Sequence, residues 1–568
     1  MDTRRTVLWV IFSLSLLLLW DAWLKHTGRP SMFAPPPVTS PAAPSSSAAP
    51  PSPNAGLPNA TTPSAGTTTT PPTTATTPIA NVPHEKVQIT TDLVVARIDT
   101  LGAELSYLEL LRHKSNNEGG QNVVLLADKP GERIYLAQSG LVGGTYPNHR
   151  TPFTRVPGPT ELAAGQDRLE VAFEAEAGNV KLRKVYSFMR GSYEIGVRHE
   201  LVNAGTTPVS PSLYLQILRD GTPPQGESKF YSTFTGPAAF TEEAKFHKIP
   251  FSDIDKGKAK LPPPARDGWI GLIQHYFVTA WIPPQGVQRE FQVRKLSAGD
   301  PYPVDTYTIA TVQPVGLIAP GASTTIETRL FSGPQDQQAL EKIAPGLDLV
   351  VDYGWLTFIA KPLFWLLQFF HKLLGNWGWA IVLLTIVVKG AFYPLSAASY
   401  KSMAKMRAVT PRMMKIREQY KDDRQKMNMA MMELYRTEKI NPLGGCLPIV
   451  VQIPVFIALY WVLLAAVEMR GAPWIGWIHD LTAPDKFFIL PAIMIVTMWV
   501  QYKLNPTPPD PVQAKVFMVM PLVFGATMIF FPSGLVLYWV VNNMLSIAQQ
   551  WQITRMIEGK PVFARAKS

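Results

Sequence analysis

A single charged side chain inside a long apolar stretch is the feature of this sequence that most suggests chemistry. Lys389 is the only charge in residues 377–400, and Thr385 and Tyr393 lie four residues before and after it. Because residues four apart share one helix face, the pattern predicts a polar stripe beside an ammonium group. In a membrane-spanning helix such a charge costs at least about 2.5 kcal/mol unless water or polar groups reach it. The pattern therefore favours a hydrated cavity open to the cytoplasm, and a lysine that merely snorkels to the inner interface is the alternative.

Polar side chains also occur inside other apolar stretches, and they would lie near Lys389 if the helices form a bundle. These residues are Gln452, two residues before Pro454, and Tyr538, Trp539, Asn542 and Asn543. An amide in lipid usually faces the interior of a helix bundle. Hydrogen bonding between helices would explain each residue alone, whereas their occurrence together with Lys389 indicates a shared hydrophilic groove.

Enzymatic chemistry is not indicated by the motifs of this sequence. It contains neither a G-x-x-x-x-G-K-[ST] phosphate loop nor an H-E-x-x-H zinc helix. The histidines of the central region lack the spacing of metal ligands. Cys446 is the single cysteine, so no disulfide within the chain and no multi-cysteine metal site can form. The sequence therefore predicts a protein that is not an enzyme and needs neither cofactor nor metal.

The long apolar stretches predict six membrane spans. The first lies in residues 1–25, behind Arg4 and Arg5, and predicts a retained anchor, with a cleaved signal peptide as the alternative. The next three spans are residues 377–400, 447–467 and 487–502. Residues 516–554 are uncharged over 39 positions, which as one helix would measure about 58 Å. Since that is nearly twice the hydrocarbon thickness, two spans joined by a turn at Pro532-Ser533-Gly534 are predicted.

The distribution of basic residues gives the orientation of these spans. Between residues 396 and 440 there are 11 Lys or Arg and 5 Asp or Glu, and the tail at 559–568 is also basic. Both segments are therefore expected in the cytoplasm, together with the N-terminus. The net charge of +11 fits an anionic lipid or ribosome surface and gives no indication of a specific nucleic-acid sequence.

Three soluble segments precede the main group of spans. Residues 26–83 are rich in Pro, Thr, Ala and Ser and predict a disordered linker. Residues 84–336 alternate polar and apolar positions, as in 169–175 and 193–197, which predicts a large antiparallel β-sandwich on the outer side. Residues 337–376 are expected to contain an amphipathic interfacial helix at 355–374, and the first half of a longer spanning helix is the alternative.

A basic, methionine-rich helical hairpin is predicted at residues 396–440, with its turn at Lys421-Asp422-Asp423. Methionine suits a surface that accepts varied apolar partners, because its side chain is flexible and polarizable. Alternatively, these methionines form the seam between the two helices of the hairpin itself.

Several motifs resemble those of the YidC-type insertases, a superfamily that includes mitochondrial and chloroplast members. They are Gly375-Asn376-Trp377-Gly378 through Tyr393-Pro394-Leu395, Ser402-Met403-Ala404-Lys405-Met406, Asn441-Pro442-Leu443-Gly444-Gly445-Cys446 and Phe531-Pro532-Ser533-Gly534-Leu535. The resemblance covers about residues 350–558, and the long outer segment is similar to that of the Gram-negative form. It implies a multi-domain membrane protein with an α-helical polytopic core of six transmembrane helices in total. A periplasmic all-β super-sandwich, similar to mutarotase folds, and a cytoplasmic helical hairpin complete this fold class.

The resemblance also assigns roles to residues. Lys389 stands where relatives often carry arginine in the groove, and Thr385 matches a groove threonine. Tyr538-Trp539 matches an aromatic pair, with tryptophan in the second place. Contacts to the departing client are implied for Ile453, Phe456 and Pro521. Recruitment by the hairpin is expected from Met403, Lys405, Met406 and Arg407.

The expected function is insertion and folding of membrane proteins in the bacterial inner membrane, alone or with the Sec translocon. The expected partners are nascent membrane proteins, the lipid bilayer, and a ribosome or targeting factor. A first alternative is a solute or proton transporter that uses Lys389 as a relay. A second alternative is a membrane-tethered carbohydrate-active protein with its site in residues 84–336. The insertase core is expected at 377–558.

Overall fold

The computed structural model describes residues 84–115, 120–129, 133–224, 233–299, 302–421, 423–438, 447–505 and 511–557. The predicted anchor at 1–25, the linker at 26–83, the tail at 559–568 and the motif at 441–446 lie outside the described residues. Asp422 of the predicted hairpin turn and the side chain of Arg407 also lie outside them. Strands occupy the first half of the described chain, and helices occupy the second half.

Antiparallel strands build the first half. They are β1 (Lys86–Thr90), β2 (Val94–Asp99), β3 (Glu104–Lys114), β4 (Asn122–Lys129), β5 (Arg133–Val142), β6 (Thr154–Arg155), β7 (Arg168–Ala177), β8 (Val180–Met189), β9 (Glu194–Asn203), β10 (Ser212–Asp220), β11 (Gly236–Thr241), β12 (Lys245–Lys248), β13 (Trp269–Gln274), β14 (Phe277–Ile282), β15 (Glu290–Leu296), β16 (Thr306–Pro314) and β17 (Ser323–Pro334). One sheet has the order β1-β2-β3-β4-β5-β10-β16-β15, and the other has the order β12-β11-β13-β14-β17-β9-β8-β7-β6.

The two sheets enclose an apolar core, which confirms the predicted sandwich. Strand β9 shows the reason: Ile195, Val197 and Leu201 are buried, and the intervening Arg198 and Glu200 are partly exposed. Successive side chains on a strand point to opposite faces, so this alternation buries one face only. Residues of both sheets, such as Leu201 and Leu215, share one core cluster. The pairing within the sheets is antiparallel throughout the described strands.

Helices build the second half. They are the short α1 (Phe251–Asp255) within the sandwich, α2 (Gln337–Ile343), α3 (Thr357–Leu374), α4 (Trp377–Ala391), α5 (Tyr393–Gln419), α6 (Arg424–Thr437), α7 (Leu447–Ala465), α8 (Ile489–Leu504), α9 (Pro511–Thr527) and α10 (Ser533–Ile557). A 3-10 turn at Met528–Phe530 and Pro532 separate α9 from α10, so the predicted break in the stretch 516–554 is confirmed.

Among the described residues, no helix alone combines the length and apolar composition of a membrane span. The pair Trp377–Ala391 and Tyr393–Met403 meets both conditions only when taken together, with a bend of 65° between its halves. The segment is therefore broken into two helices, and the span at 377–400 stays a prediction. Pro394 lies in the first turn of α5, where the missing N–H breaks no hydrogen bond, so a new helix starts there.

Helix α3 is amphipathic and separate from α4. Ala360, Phe364 and Leu367 face the bundle, and Trp365 and Phe369 are exposed. The helix ends at Gly375 in a left-handed conformation (φ 66°), and the side chain of Asn376 caps the start of α4. The alternative of one longer helix is therefore wrong.

The sandwich contacts the bundle through the turn between β13 and β14. His275 Nε2 donates a hydrogen bond to the carbonyl oxygen of Leu464 near the end of α7, at 2.9 Å. Burial lowers the pKa of His275 to about 4, so the ring is a neutral donor. The Arg470 guanidinium lies 5.6 Å and 5.4 Å from the ring centroids of Tyr276 and Phe277. This turn therefore fixes one end of α7.

Candidate functional site

Three helices hold the ammonium group of Lys389. Lys389 lies in the last turn of α4, and its side chain is 7% exposed. Its Nζ donates a hydrogen bond of 2.7 Å to Ser546 Oγ on α10 and one of 3.4 Å to Gln452 Oε1 on α7. The side chain therefore does not snorkel to the interface, and that alternative is wrong.

Amide groups extend this arrangement into a connected polar cluster. Gln452 Nε2 donates to Asn542 Oδ1, and Ser546 Oγ donates to the backbone oxygen of Asn542 at 2.8 Å. Lys389, Gln452, Asn542 and Ser546 thus form what we call the groove cluster. Asn543, by contrast, points to α8 and donates to Thr497 Oγ1 at 3.4 Å.

Among the described residues, the groove cluster offers only neutral groups to its charge. Helices α4, α7 and α10 contain no acidic residue. In the part of the chain that the structure describes, both hydrogen bonds of Lys389 Nζ end on an uncharged oxygen. A buried cation is stabilised more strongly by an anion than by neutral acceptors. Among the described residues, the ammonium of the groove cluster therefore has no anionic hydrogen-bond partner.

Two residues predicted beside Lys389 behave differently from one another. Thr385 lies one turn before Lys389 and is buried, but its hydroxyl donates to the backbone oxygen of Ile381 at 2.7 Å. Tyr393 lies beyond the bend, on α5, and is partly exposed. The predicted continuous helix face from Thr385 to Tyr393 is therefore wrong, because the chain changes direction at Phe392.

Aromatic side chains pack between α7 and α10 about one turn from the groove cluster. The Phe456 ring lies 4.8 Å from that of Trp539 and 6.3 Å from that of Tyr538, centroid to centroid. Ile453, on the same helix as Phe456, is 49% exposed. Pro521 is buried, so in this conformation it offers no surface to a client.

Sequence reasoning missed Ser546, the nearest partner of Lys389. Tyr400 was missed as well; its hydroxyl reaches the backbone oxygen of Ser546 at 3.4 Å. A signal existed, because Ser546 lies four residues after Asn542 and shares its helix face. Serine was overlooked because one hydroxyl often bonds its own helix without further role.

The hairpin of α5 and α6 uses its methionines in two ways. Met413 is buried against Val409, and Met406 and Met431 pack around them. These three methionines form the seam between the helices. Three others are exposed, namely Met414, Met429 and Met432. Met403 is partly exposed and Lys405 is exposed. The seam interpretation therefore holds for these buried methionines, and the binding of apolar partners by the exposed ones stays a prediction.

The sandwich buries ionisable groups, but their contacts are structural. Lys184 Nζ donates to the backbone oxygens of Gly102 and Ser139 at 2.6 Å and 2.7 Å, and burial lowers its pKa to about 7. Burial likewise raises the pKa of Glu104 to about 8. His199 Nε2 bonds Ser139 Oγ at 2.9 Å. Among the described residues, no group of histidine, cysteine or acidic side chains has the geometry of a metal site.

Comparison with known proteins places the chain in a family. The family model described as YidC periplasmic domain matches residues 86–366, and the model described as 60Kd inner membrane protein matches residues 369–560. The membrane protein insertase YidC of Cupriavidus necator is 56% identical over 572 residues and is covered completely, as is this chain. The chain belongs to the YidC family. The YidC proteins of Bordetella petrii and Ralstonia nicotianae are 55% and 54% identical, over 99% and 100% of both chains.

Membership in the YidC family gives this chain a β-sheet-rich periplasmic domain and a helical C-terminal part. These relatives are named insertases and not enzymes, in agreement with the absence of catalytic motifs. A crystal structure of an active YidC insertase aligns with 83% of this chain and 93% of its own, at 18% identity and a TM-score of 0.38. A galactose mutarotase related enzyme from Lactobacillus acidophilus aligns with 44% of this chain and 97% of its own, with a TM-score of 0.27. Similarity at these scores says nothing about a ligand.

Proposed function

We propose that this YidC family member inserts integral membrane proteins into the inner membrane by offering the groove cluster to a polar stretch of the client. The observation that carries the proposal is the buried Lys389 ammonium, whose acceptors in the described part of the chain are the uncharged Ser546 and Gln452. The client is a nascent membrane protein, and it enters the lipid bilayer.

The energetic argument concerns the polar part of the client. A charged residue at the centre of a bilayer costs about 2.5–3.5 kcal/mol on insertion scales, and more when it is fully desolvated. A client carboxylate that accepts a further N–H of the Lys389 ammonium gains a charge-assisted hydrogen bond. Water in the cytoplasmic half of the groove would lower the cost further. The polar stretch therefore crosses only part of the hydrocarbon unaided.

The apolar part of the client drives the step. Ile453 on α7 is exposed about one turn from Phe456, which contacts Trp539, and α9 exposes large apolar side chains around its circumference. They are Val516, Phe517, Met518, Val519, Met520, Leu522 and Val523. A client segment can move along this apolar surface into lipid, where burial of its side chains releases free energy without nucleotide hydrolysis.

The orientation of the chain follows the distribution of its basic residues. We place the sandwich at 84–336 in the periplasm and the hairpin at 396–440 and both termini in the cytoplasm, with six spans in all. The exposed aromatic face of α3 suits the outer membrane interface. The exposed Lys405 and the surrounding basic residues suit electrostatic contact with a ribosome or targeting factor, and cooperation with a Sec translocon is part of the proposal.

Insertion into proteoliposomes tests the role of the charge. Two single-span clients are compared, which differ only in an acidic or a neutral translocated tail. Since a hydrogen bond to a charged group contributes about 1.5–3 kcal/mol, Lys389→Ala is expected to lower insertion of the acidic client by about tenfold or more. The neutral client should be affected much less, and Lys389→Arg should retain most activity.

Lys503→Ala is the matched control, because it removes a lysine of the same bundle that lies over the Trp499 ring, away from the groove cluster. Equal loss for both clients in Lys389→Ala, or the same selective loss in Lys503→Ala, would contradict the proposal. The transporter and carbohydrate alternatives lose support, because full-length relatives carry the name of insertases.

A further inference from the structure

Ser546 lies where α4, α7 and α10 surround the Lys389 ammonium. It is buried on α10, and its Oγ lies 2.7 Å from Lys389 Nζ. The same oxygen donates to the Asn542 backbone oxygen at 2.8 Å, which fixes the direction of its lone pairs. Its own backbone oxygen accepts the hydroxyl of Tyr400 from α5 at 3.4 Å.

The hydroxyl of Ser546 is the closer of the two acceptors that position the ammonium. The distance from Lys389 Nζ to Gln452 Oε1 is 3.4 Å, which is long for a hydrogen bond between a cation and an amide oxygen. The other end of Gln452 is engaged by Asn542. Lysine ends in a compact charge on a flexible four-carbon stem, so a short hydrogen bond is needed to give it one location.

We propose that Ser546 is the positioning residue of the groove charge and thereby sets the preference for clients with an acidic stretch. This inference rests on the proposed function. Without a client, Ser546 Oγ holds Lys389 Nζ where α4, α7 and α10 meet. An ammonium has three N–H donors, so a client carboxylate accepts one of them while Ser546 keeps its own, and no bond other than hydrogen bonds changes. The hydroxyl thus holds the charge in one location while the carboxylate binds.

The contact with Tyr400 connects this position to the hairpin. Tyr400 is buried in the first half of α5, and α5 continues to Gln419 at the end of the hairpin. Movement of the hairpin therefore acts on the turn of α10 that carries Ser546. The Tyr400 hydroxyl binds the backbone of Ser546 and not its Oγ, so Tyr400→Phe is expected to have a smaller effect than a change of Ser546 itself.

The test is the ratio of acidic-client to neutral-client insertion in proteoliposomes that contain the full-length protein. Ser546→Ala is expected to lower this ratio severalfold, because the ammonium loses the short hydrogen bond that holds it where the client carboxylate arrives. Ser546→Thr keeps the hydroxyl and should retain the wild-type ratio. Ser533→Ala is the matched control, because Ser533 is equally buried on the same helix and donates only to the Ala483 backbone oxygen. A general loss of folding would lower both clients and leave the ratio unchanged.

The outcomes separate this inference from the proposed function. If Lys389→Ala lowers the ratio and Ser546→Ala does not, the positioning role is wrong and the role of the charge stands. If neither variant changes the ratio, both are wrong. If Ser546→Thr behaves like Ser546→Ala, the hydroxyl is not what positions the charge, and the inference fails.

Discussion

Replacement of Lys184 by methionine should remove a pH dependence from the stability of the sandwich. The Lys184 side chain is 0% exposed, and its Nζ also lies 5.0 Å from the Phe153 ring centroid. Burial disfavours the charged form and lowers the folded-state pKa from 10.5 to about 7. Between these values the unfolded chain holds a proton that the folded chain has released. The contribution of Lys184 to the free energy of unfolding therefore rises with pH from about 7 to about 10.5 and is lost as pH falls through 7.

The size of the effect follows from 1.36 kcal/mol per pH unit, which gives about 5 kcal/mol over the whole range. Between pH 7 and pH 9, where the folded lysine is already partly neutral at the start, the expected change is about 2 kcal/mol. Lys184→Met keeps the volume of the side chain and loses two hydrogen bonds, to Gly102 and Ser139, which adds an offset that does not vary with pH. The free energy of unfolding of the wild type minus that of the variant should therefore rise by about 2 kcal/mol between pH 7 and pH 9.

Calorimetric unfolding of the full chain in detergent at a series of pH values measures this difference. For a domain of this size, about 2 kcal/mol corresponds to a relative shift in Tm of roughly 4–8 °C. The wild-type curve alone does not isolate Lys184, because burial raises the pKa of Glu104 to about 8. The contribution of Glu104 to the free energy of unfolding therefore falls as pH rises from 4.5 to 8, which opposes the effect of Lys184. Lys181→Met is the control, since Lys181 lies on the same strand and its exposed side chain pairs with Glu174. Parallel pH curves for wild type and Lys184→Met would refute the reasoning.

Three further substitutions test contacts that hold the molecule together. His275→Ala leaves the carbonyl of Leu464 without its donor and should cost about 1–3 kcal/mol in thermal unfolding, whereas His275→Gln should retain most stability; equal losses would contradict the hydrogen bond. Gly525→Ala would place a Cβ 2.1 Å from Ile495 Cγ1 and should cost about 1–3 kcal/mol, with recovery when Ile495→Ala is added; a neutral single variant would show that α8 and α9 separate freely. Met413→Gln should lower the helix content of the hairpin in circular dichroism because it buries an amide in the seam, and an unchanged spectrum would argue against that seam.

The elements of the fold follow from short-range patterns, and the sequence shows these directly. Alternation in residues 169–175 predicts strand β7, because one face of a strand is buried and the other is not. The turn at Pro532 is predicted because 39 uncharged residues are too long for one span. The helix end at Gly375 was left open between two alternatives, and the left-handed conformation of this glycine decides it.

The candidate site is only partly predictable, because its geometry depends on distant parts of the chain. Lys389, Gln452 and Asn542 were expected to meet because polar groups in apolar helices turn inward, and the structure brings them together. Ser546 lies 157 positions from Lys389, so no local pattern pairs them. The hydrated cavity predicted around Lys389 stays a prediction, since hydroxyl and amide oxygens take the place nearest to Nζ in this conformation.

The bend after Ala391 has an electrostatic consequence for the charge two residues earlier. The last four carbonyls of a helix lack partners from their own helix, and the aligned peptide dipoles give that end a partial negative charge. Because α4 ends at Ala391, Lys389 lies within this terminal turn, where a cation gains about 0.3–1 kcal/mol. A straight helix through residues 377–400 would have placed the same lysine in the middle of the dipole array, without that gain. The backbone itself thus acts as a weak counter-ion for the lysine, in a region where the surrounding helices supply no anion.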